Sequence, residues 1–349
     1  MKILVATDAW RPQVNGVVRT LTTLVGELAE MGHRVLPLHP GMFRTFPCPF
    51  YPEIRLAIGA DARVARIIET WEPDAIHVAT EGPVGAAARR WCLANRCEFS
   101  TAFHTKFPEY LAARRLAPRR LTYALLRRFH MPASAVMVAS ASIRQELASR
   151  GFHRLAAWTR GVDAELFSPR RPPARLDLPR PIFLSVGRLA REKNLPAFLS
   201  LDLPGSKVVV GDGPQLRSLR RQFPQCHFLG RRDNGELASL YAAADVFVFP
   251  SRTDTFGLVM LEALASGVPV AAFPVSGPLD VLAEGQAGAL DENLQAAALT
   301  ALTIPRERCR EYALNFTWRA CAQQFVANLR PTTFHAAPSQ RLAPQPQSM

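Results

Sequence analysis

The sequence predicts an α/β protein made of two Rossmann-like domains. Short apolar runs of strand length alternate with amphipathic helical patterns along the whole 349-residue chain. That length suits two domains of roughly 100–200 residues each. Five prolines fall within the thirteen residues 169–181, a density that neither a helix nor a central strand tolerates. We therefore predict a linker over 169–181 between doubly wound domains at 1–168 and 182–307.

Six strands and two helices are predicted in the first domain. The helices are marked by apolar residues at helical spacing, Val17 to Leu28 and Val64 to Trp71, and Gly32 ends the first. Strand–helix–strand alternation with short connections favours a parallel sheet. The predicted strands are Ile3–Thr7, Val35–Leu38, Ala75–Thr80, Phe99–His104, Ala135–Ala139 and Ala156–Thr159.

The same alternation resumes after the linker. One helix precedes the strand at Val246, a second covers Phe256–Ser266, and a last amphipathic helix covers 308–330. The tail 331–349 is rich in Pro, Gln, Ser and Ala, which predicts disorder. The predicted strands are Ile182–Val186, Lys207–Val210, His227–Leu229, Val246–Phe249 and Val268–Phe273.

The charge balance favours anionic partners. The formal net charge is +13, which suits nucleic acid, a membrane surface or a phosphorylated substrate, without choosing among them. No recognised nucleic-acid-binding signature occurs, and the basic residues spread over both halves, so we predict no nucleic-acid partner.

The six cysteines form no C-x-x-C pair and no cluster with zinc spacing. Scattered thiols suit a reducing cytoplasm. No apolar run approaches the roughly 20 residues of a membrane span, and Asp8 comes too early for a signal peptide. We expect a cytoplasmic protein without a resident metal.

The most informative segment is 250–267, which follows a predicted strand and opens a helix. A helix N-terminus offers free N–H groups to phosphate, and Gly257 allows close backbone approach. Glu262, two turns inside the helix, would accept ribose hydroxyls, and Asp254 would face the sugar side of the same diphosphate. The alternative is a capped core helix with a solvated Glu262.

This segment resembles the E-x7-E motif of family 4 retaining glycosyltransferases, with Asp254 in place of the first Glu. Five further segments resemble that family in the same order along the chain; the two in the first half resemble its glycolipid-forming and mannosyl-transferring branch. They are Pro12–Arg19, Phe103–Tyr110, Thr159–Pro169 (G-V-D-x-x-x-F-x-P), Ser185–Asn194 (G-R-x-x-x-E-K-N) and Val210–Pro214 (G-x-G-P).

The resemblance implies the GT-B fold, in which two Rossmann-like domains face each other across a cleft and the last helix packs back toward the first. It implies transfer of a hexose from a UDP- or GDP-linked sugar with retained configuration. The acceptor would be a lipid such as diacylglycerol or a glycolipid; the alternative acceptor is a soluble or lipid-carried saccharide. An epimerase of the same fold or a silent scaffold would not be expected to carry these motifs together.

The resemblance also assigns roles to individual residues. Arg188 and Lys193 would neutralise the diphosphate, Glu262 would hold the ribose, and His104 would lie at the junction of sugar and acceptor. Arg188 and Lys193 as surface charges, and His104 as a structural histidine, are the alternatives. The remaining donor-side residues implied are Gly16, Gly187, Asp254, Phe256, Gly257, Leu258 and Val259.

The chain contains no D-x-D pair, which metal-dependent glycosyltransferases commonly use to hold a cation. Arg188, Lys193 and a helix N-terminus would stabilise the leaving diphosphate instead. We therefore predict no metal and no cofactor other than the nucleotide-sugar co-substrate.

A basic segment, Lys106–Met131, directly follows His104. Cations mixed with aromatic and leucine side chains suit an interfacial helix on anionic lipid, so we predict peripheral attachment to the inner face of the cytoplasmic membrane. The alternative is an ordinary helix pair with a solvated arginine face. The residues assigned to the acceptor and membrane side are Lys106, Tyr110, Arg114, Arg119, Arg120, Arg127 and Arg128.

Overall fold

The computed structural model describes residues 1–48, 51–113, 115–282 and 287–332. It contains two six-stranded sheets, and every strand pairing within them is parallel. The predicted fold class, two Rossmann-like α/β domains, is confirmed.

The first domain has a sheet flanked by helices on both faces. Its elements are β1 (Lys2–Ala6), α1 (Gly16–Glu30), β2 (Arg34–Leu38), β3 (Thr45–Cys48), β4 (Tyr51–Ala57), α2 (Ala60–Trp71), β5 (Ala75–Val78), α3 (Pro83–Ala94), β6 (Ser100–Phe103), α4 (Phe107–Ala113), α5 (Arg119–His130), β7 (Ala135–Val138), α6 (Ala141–Ser149) and β8 (Leu155–Ala157). The sheet order is β2-β1-β5-β6-β7-β8. The β3–β4 hairpin, which is antiparallel and separate from the sheet, is absent from the sequence-based prediction.

The second domain repeats the plan. Its elements are β9 (Ile182–Val186), α7 (Leu195–Leu199), β10 (Ser206–Val210), α8 (Leu216–Gln222), β11 (His227–Gly230), α9 (Asn234–Ala243), β12 (Val246–Phe249), α10 (Leu258–Ala265), β13 (Val270–Ala272), α11 (Pro278–Val281), β14 (Gly288–Leu290), α12 (Leu294–Ala301), α13 (Arg306–Ala313) and α14 (Trp318–Asn328). The sheet order is β11-β10-β9-β12-β13-β14.

In each sheet the strand order reverses beside the first strand, between β1 and β5 and between β9 and β12. Ligands of open α/β sheets bind at the carboxyl ends of the strands flanking such a reversal. This topology therefore predicts a ligand-binding site at the loops that follow β1, β9 and β12.

The predicted single helix over 308–330 is wrong, because the chain breaks into α13 and α14. The break lies where the chain crosses between domains, and the Phe316 carbonyl accepts a hydrogen bond from Val162 N of the other crossing segment at 3.0 Å. Thr317 then caps α14 by accepting a bond from Ala320 N. Gly161 is required at this crossing, since a Cβ there would lie 2.3 Å from Trp318 N.

The last helix completes the core of the first domain. Trp318, Cys321 and Phe325 of α14 are buried in one cluster with Ile3 and Leu21. By contrast, α13 packs against α10 of the second domain. Helices α13 and α14 therefore link the two domains, since each packs against a different one.

Candidate active site

The N-termini of α1 and α10 face each other across the cleft between the domains. A methyl group on Gly16, the first residue of α1, would lie 3.9 Å from Leu258 Cδ1, at the start of α10. One turn further along α1, the Arg19 guanidinium forms an ion pair with the Glu262 carboxylate of α10. Two helix ends from opposite domains thus meet at one place.

Helix α10 begins later than the predicted Phe256, because Gly257 has a left-handed φ of 91°. A Cβ at Gly257 would lie 2.7 Å from Met260 Cε and 3.1 Å from Phe249 Cζ. Glycine is therefore favoured at this position by its conformation, and a larger residue would also crowd Phe249 and Met260. The first N–H groups of α10 lie directly after it, while Phe256 itself is buried.

Glu262 lies inside the protein, and the alternative of a solvated Glu262 is wrong. The residue is only 2% exposed, and its Oε2 accepts a hydrogen bond of 3.1 Å from the Tyr241 hydroxyl. Burial raises the pKa of Glu262, and the opposing influences of the Arg19 charge and the Tyr241 bond only partly offset it. A buried carboxylate needs such partners to stay ionised.

Lys193 and Asp254 are joined by an ion pair. Lys193 ends a 3-10 turn after β9, Asp254 lies in the loop after β12, and Lys193 Nζ is 2.7 and 2.9 Å from the two Asp254 carboxylate oxygens. The same two loops are tied by bonds from the Asn194 side chain to the Pro250 carbonyl (3.1 Å) and from Ser251 Oγ to the Glu192 carbonyl (3.2 Å). Gly187, Arg188 and Lys193 line one pocket together with Ser185, Val186, Leu195, Val209, Phe249, Pro250 and Ser251.

His104 follows β6 and is held in its neutral form. Burial, and secondly the charge of Arg160, keep the pKa of His104 well below its ordinary value. Arg160 Nη2 donates to His104 Nδ1 at 3.4 Å, which leaves the ring proton on Nε2. Among the residues that the structure describes, Nε2 has no hydrogen-bond partner. The backbone carbonyl of His104 accepts a 2.8 Å bond from Thr255 Oγ1 of the second domain.

Lys106 was assigned to the acceptor and membrane side, and the prediction that this residue contacts a membrane surface is wrong. The residue is 7% exposed, and its Nζ lies 2.7 Å from Glu146 Oε2 and 2.8 Å from Ser276 Oγ. Its charge is therefore paired inside the protein, at another contact between the domains. The domains also meet where Asp280 Oδ1 accepts a 2.9 Å bond from Ser142 N.

The rest of the basic segment forms the helix pair α4 and α5 rather than one interfacial helix. Arg119, Arg120 and Arg128 are exposed on α5 beside Leu121 and Leu125, which are 55% and 59% exposed. We call these five residues the arginine–leucine surface.

Two other assigned residues differ from that surface, and a third is not described. Arg127, although exposed, donates to the Arg150 carbonyl at 3.2 Å, and the half-buried Tyr110 contacts the Phe107 ring. Arg114 lies outside the described residues.

The structure adds site residues that sequence analysis did not assign. Arg19 was visible only as the last residue of the Pro12–Arg19 motif. Arg160 and Thr255 lie within segments singled out by the sequence but received no role, and Tyr241 lies outside them. Each acts through a contact that exists only after folding. In the described part of the chain, no helix has the length and apolar character of a membrane span.

Two family models match the chain. Residues 14–166 match the model described as Glycosyltransferase Family 4, and residues 169–317 match the one described as Glycosyl transferases group 1. Between them the two models account for nearly the whole of both domains.

Several individual proteins are also similar in sequence to this chain. The sulfoquinovosyl transferase SQD2 of Arabidopsis thaliana is 30% identical over 79% of this chain, which spans 60% of that protein. A GDP-mannose-dependent alpha-mannosyltransferase of Mycobacterium tuberculosis is 30% identical, with 83% of each chain covered. An alpha-monoglucosyldiacylglycerol synthase of Streptococcus pneumoniae is 27% identical over 86% of this chain and 78% of that one.

Among solved structures, a sucrose-phosphate synthase of Thermosynechococcus elongatus superimposes with a TM-score of 0.75 at 21% identity, covering 93% of this chain and 97% of that chain. At that identity the likeness shows the fold alone.

Proposed function

Since the chain belongs to glycosyltransferase family 4 and is a hexosyltransferase, we propose that it moves a hexose from a UDP- or GDP-linked sugar to a membrane lipid with retained configuration. One observation carries the proposal. The start of α10 meets the start of α1 across the cleft, and the loop just before α10 carries Asp254, which binds Lys193 of the neighbouring loop. That arrangement suits a ligand with a sugar, a diphosphate and a ribose in line.

The donor would lie along the second domain. The N–H groups at the start of α10, from Gly257 to Val259, would donate to the diphosphate, with Arg188 and Lys193 supplying positive charge. The Glu262 carboxylate, already oriented by Tyr241, would accept the ribose hydroxyls. Asp254, close to Lys193, would contact hydroxyls of the transferred sugar.

The chemistry asks the protein chiefly to stabilise the leaving group. As the bond between the anomeric carbon and the diphosphate oxygen breaks, negative charge grows on the diphosphate and positive charge on the sugar. Lys193 and Arg188 would stabilise the first of these charges. The acceptor hydroxyl would attack from the same face, and its proton would pass to the departing diphosphate oxygen. No protein nucleophile is needed on this route.

His104 would bind the sugar as a neutral donor. Its Nε2 proton is unpaired among the described residues, and its Nδ1 is occupied by Arg160. A buried donor without a partner gains from a ligand hydroxyl. A neutral imidazole also avoids placing a cation beside an anomeric carbon that becomes positive.

The acceptor would arrive from a membrane surface contacted by the arginine–leucine surface of α5. Arg119 and Arg120 occupy the first turn of α5, where cations oppose the helix dipole, so they do not serve helix stability. Exposed leucines between exposed arginines suit the boundary between lipid headgroups and acyl chains. The relative from Streptococcus pneumoniae, named for a glucosyldiacylglycerol product, supports a lipid acceptor of the diacylglycerol type.

A two-step experiment tests the proposal. The protein is first screened for thermal stabilisation by UDP- and GDP-linked hexoses, and the stabilising donor is then incubated with diacylglycerol vesicles and the products analysed by mass spectrometry. We expect one donor to stabilise the protein and to yield a glycolipid. Transfer only to soluble saccharides would overturn the lipid acceptor, and absence of both stabilisation and product would overturn the donor site.

A further inference from the structure

The ion pair between Arg19 and Glu262 spans the place at which the donor ribose is proposed to bind. We propose that Arg19 is a positioning residue that occupies Glu262 in the donor-free protein and is exchanged for the ribose hydroxyls when the donor binds. The inference rests on the proposed function, because it takes Glu262 to be the ribose-binding carboxylate.

Access to Glu262 supports an exchange. The Glu262 side chain is 3% exposed, whereas the Arg19 side chain, which comes from the opposite domain, is 29% exposed. Arg19 contacts Oε1, and Tyr241 contacts Oε2. A ribose hydroxyl that approaches Oε1 therefore needs the position that the guanidinium holds.

The two partners of Glu262 differ in how freely they can leave. Tyr241 is fully buried in the same domain as Glu262, and its hydroxyl also lies 3.3 Å from the Val259 carbonyl. Arg19 reaches across the cleft from the edge of its own domain. Tyr241 can therefore keep the carboxylate oriented while Arg19 departs.

The surroundings offer the guanidinium another position. Arg19 lines a polar cavity of about 460 Å³ at the junction of the domains, and Glu27 and Asp163 line the same cavity. The guanidinium also lies 5.3 Å from the centre of the Phe167 ring, which a displaced arginine can still contact. Solvent and the carboxylates of Glu27 and Asp163 would then compensate the positive charge of Arg19 after it leaves Glu262.

Electrostatics make the exchange conditional on the ribose. A buried carboxylate that loses its cation without replacement is strongly destabilised. Two ribose hydroxyls supply two hydrogen bonds in place of the ion pair. Arg19 therefore leaves when a ligand with a vicinal diol arrives, and it stays when the ligand lacks one.

The test compares nucleoside diphosphates with and without the diol. Isothermal calorimetry measures Kd for UDP and GDP and for their 2′,3′-dideoxy forms, and the ratio of dideoxy to ribo Kd is taken for whichever base binds. A change in overall charge affects both ligands equally and cancels in this ratio. We expect Arg19→Gln to raise the ratio about tenfold, because the ribose no longer displaces a cation. Arg19→Lys should give an intermediate ratio, and this variant replaces Arg19→Gln in the test if Arg19→Gln folds poorly.

Two further variants complete the design. Arg319→Gln removes an exposed cation from the same cavity without touching Glu262 and should leave the ratio at its wild-type value. Glu262→Leu removes the acceptor and should bring the ratio close to one. If Glu262→Leu leaves the ratio unchanged, the donor-site assignment itself fails. If Glu262→Leu lowers the ratio while Arg19→Gln leaves it unchanged or lowers it, only the exchange is overturned.

Discussion

Lys193 Nζ lies 2.7 Å from one carboxylate oxygen of Asp254 and 2.9 Å from the other. The pair joins the loops after β9 and β12, which carry six of the residues assigned to the donor: Gly187, Arg188, Lys193, Asp254, Phe256 and Gly257. A diphosphate entering this pocket must share the ammonium group with Asp254. The ion pair thus holds Lys193 in place before the donor arrives.

Replacing Lys193 by Ala should lower kcat more than it raises the donor KM. The charge that Lys193 is proposed to stabilise grows in the transition state, and losing one such preorganised contact costs about 10²–10³ in turnover. Steady-state kinetics with the donor identified by thermal shift measure both constants. Arg191→Ala, an exposed cation on the same turn, is the matched control and should keep wild-type turnover. A loss confined to KM would contradict the role in leaving-group stabilisation.

Replacing Glu262 by Ala should raise the donor KM. A hydrogen bond to a charged group is worth about 1.5–3 kcal/mol, or about tenfold or more in affinity. Tyr241→Phe removes only the bond that orients the carboxylate and should give a smaller rise. An unchanged donor KM in both variants would show that the ribose binds elsewhere.

Stability should depend on pH through His77. Burial, and secondly the charges of Arg160 and His130, lower the pKa of His77 to about 3. Between about pH 3 and pH 6.5, His77 is therefore protonated in the unfolded chain and neutral in the folded protein. The His77 contribution to stability is complete above about pH 6.5 and is lost as the pH falls toward 3, by up to about 1.4 kcal/mol per pH unit.

Urea unfolding at about pH 7.5 and about pH 5 measures this effect. In His77→Gln the free energy of unfolding should change less between the two pH values than in the wild type. Carboxyl groups with raised pKa, such as Glu262, act in the opposite direction, but they are common to both proteins and cancel in the comparison. Identical pH dependence in the two proteins would remove His77 as the cause.

Reversing Arg119 and Arg120 to Glu should weaken binding to anionic vesicles. Each cation near such a surface contributes about 1 kcal/mol, and reversal turns attraction into repulsion. Co-sedimentation with vesicles of anionic and of neutral lipid, at low and high salt, measures the effect. Arg217 and Arg221, exposed on α8 of the second domain, give a charge-matched control that should bind as the wild type does. Equal losses in both double variants would indicate attraction by net charge alone.

Activity should survive a chelator. The prediction rests on the sequence, which has no D-x-D pair, and on Arg188 and Lys193, which line one pocket and are proposed to neutralise the diphosphate. Transfer rates are measured after dialysis against a chelator, and again with magnesium or manganese restored. A rate that collapses and returns with metal would mean that the diphosphate is neutralised differently.

The sequence predicts most of the fold because its central strands are apolar on both faces. Val246–Phe249 and Ile3–Ala6 are entirely buried, as central parallel strands must be. The β3–β4 hairpin was missed because Pro47 and Pro52 interrupt its alternation. The break before α14 was missed because the amphipathic pattern continues through it.

The site residues also divide into those that local sequence predicts and those that it does not. Lys193 and Glu262 lie in contiguous motifs, so their positions follow from local sequence. Arg19 meets Glu262 across 243 positions of chain, and only the docking of the domains creates that contact. Lys106 shows the converse, since a lysine in a basic segment gives no sign that it will be buried in an ion pair with Glu146.

The return of α14 to the first domain has a consequence for how the protein is made. Residues 1–168 leave the ribosome long before Trp318, Cys321 and Phe325, which fill part of their core. The core of the first domain therefore stays incompletely packed until the second domain and α14 have been synthesised. A fragment ending in the linker would lack this packing, so neither its solubility nor its stability reports on the domain in the full-length enzyme.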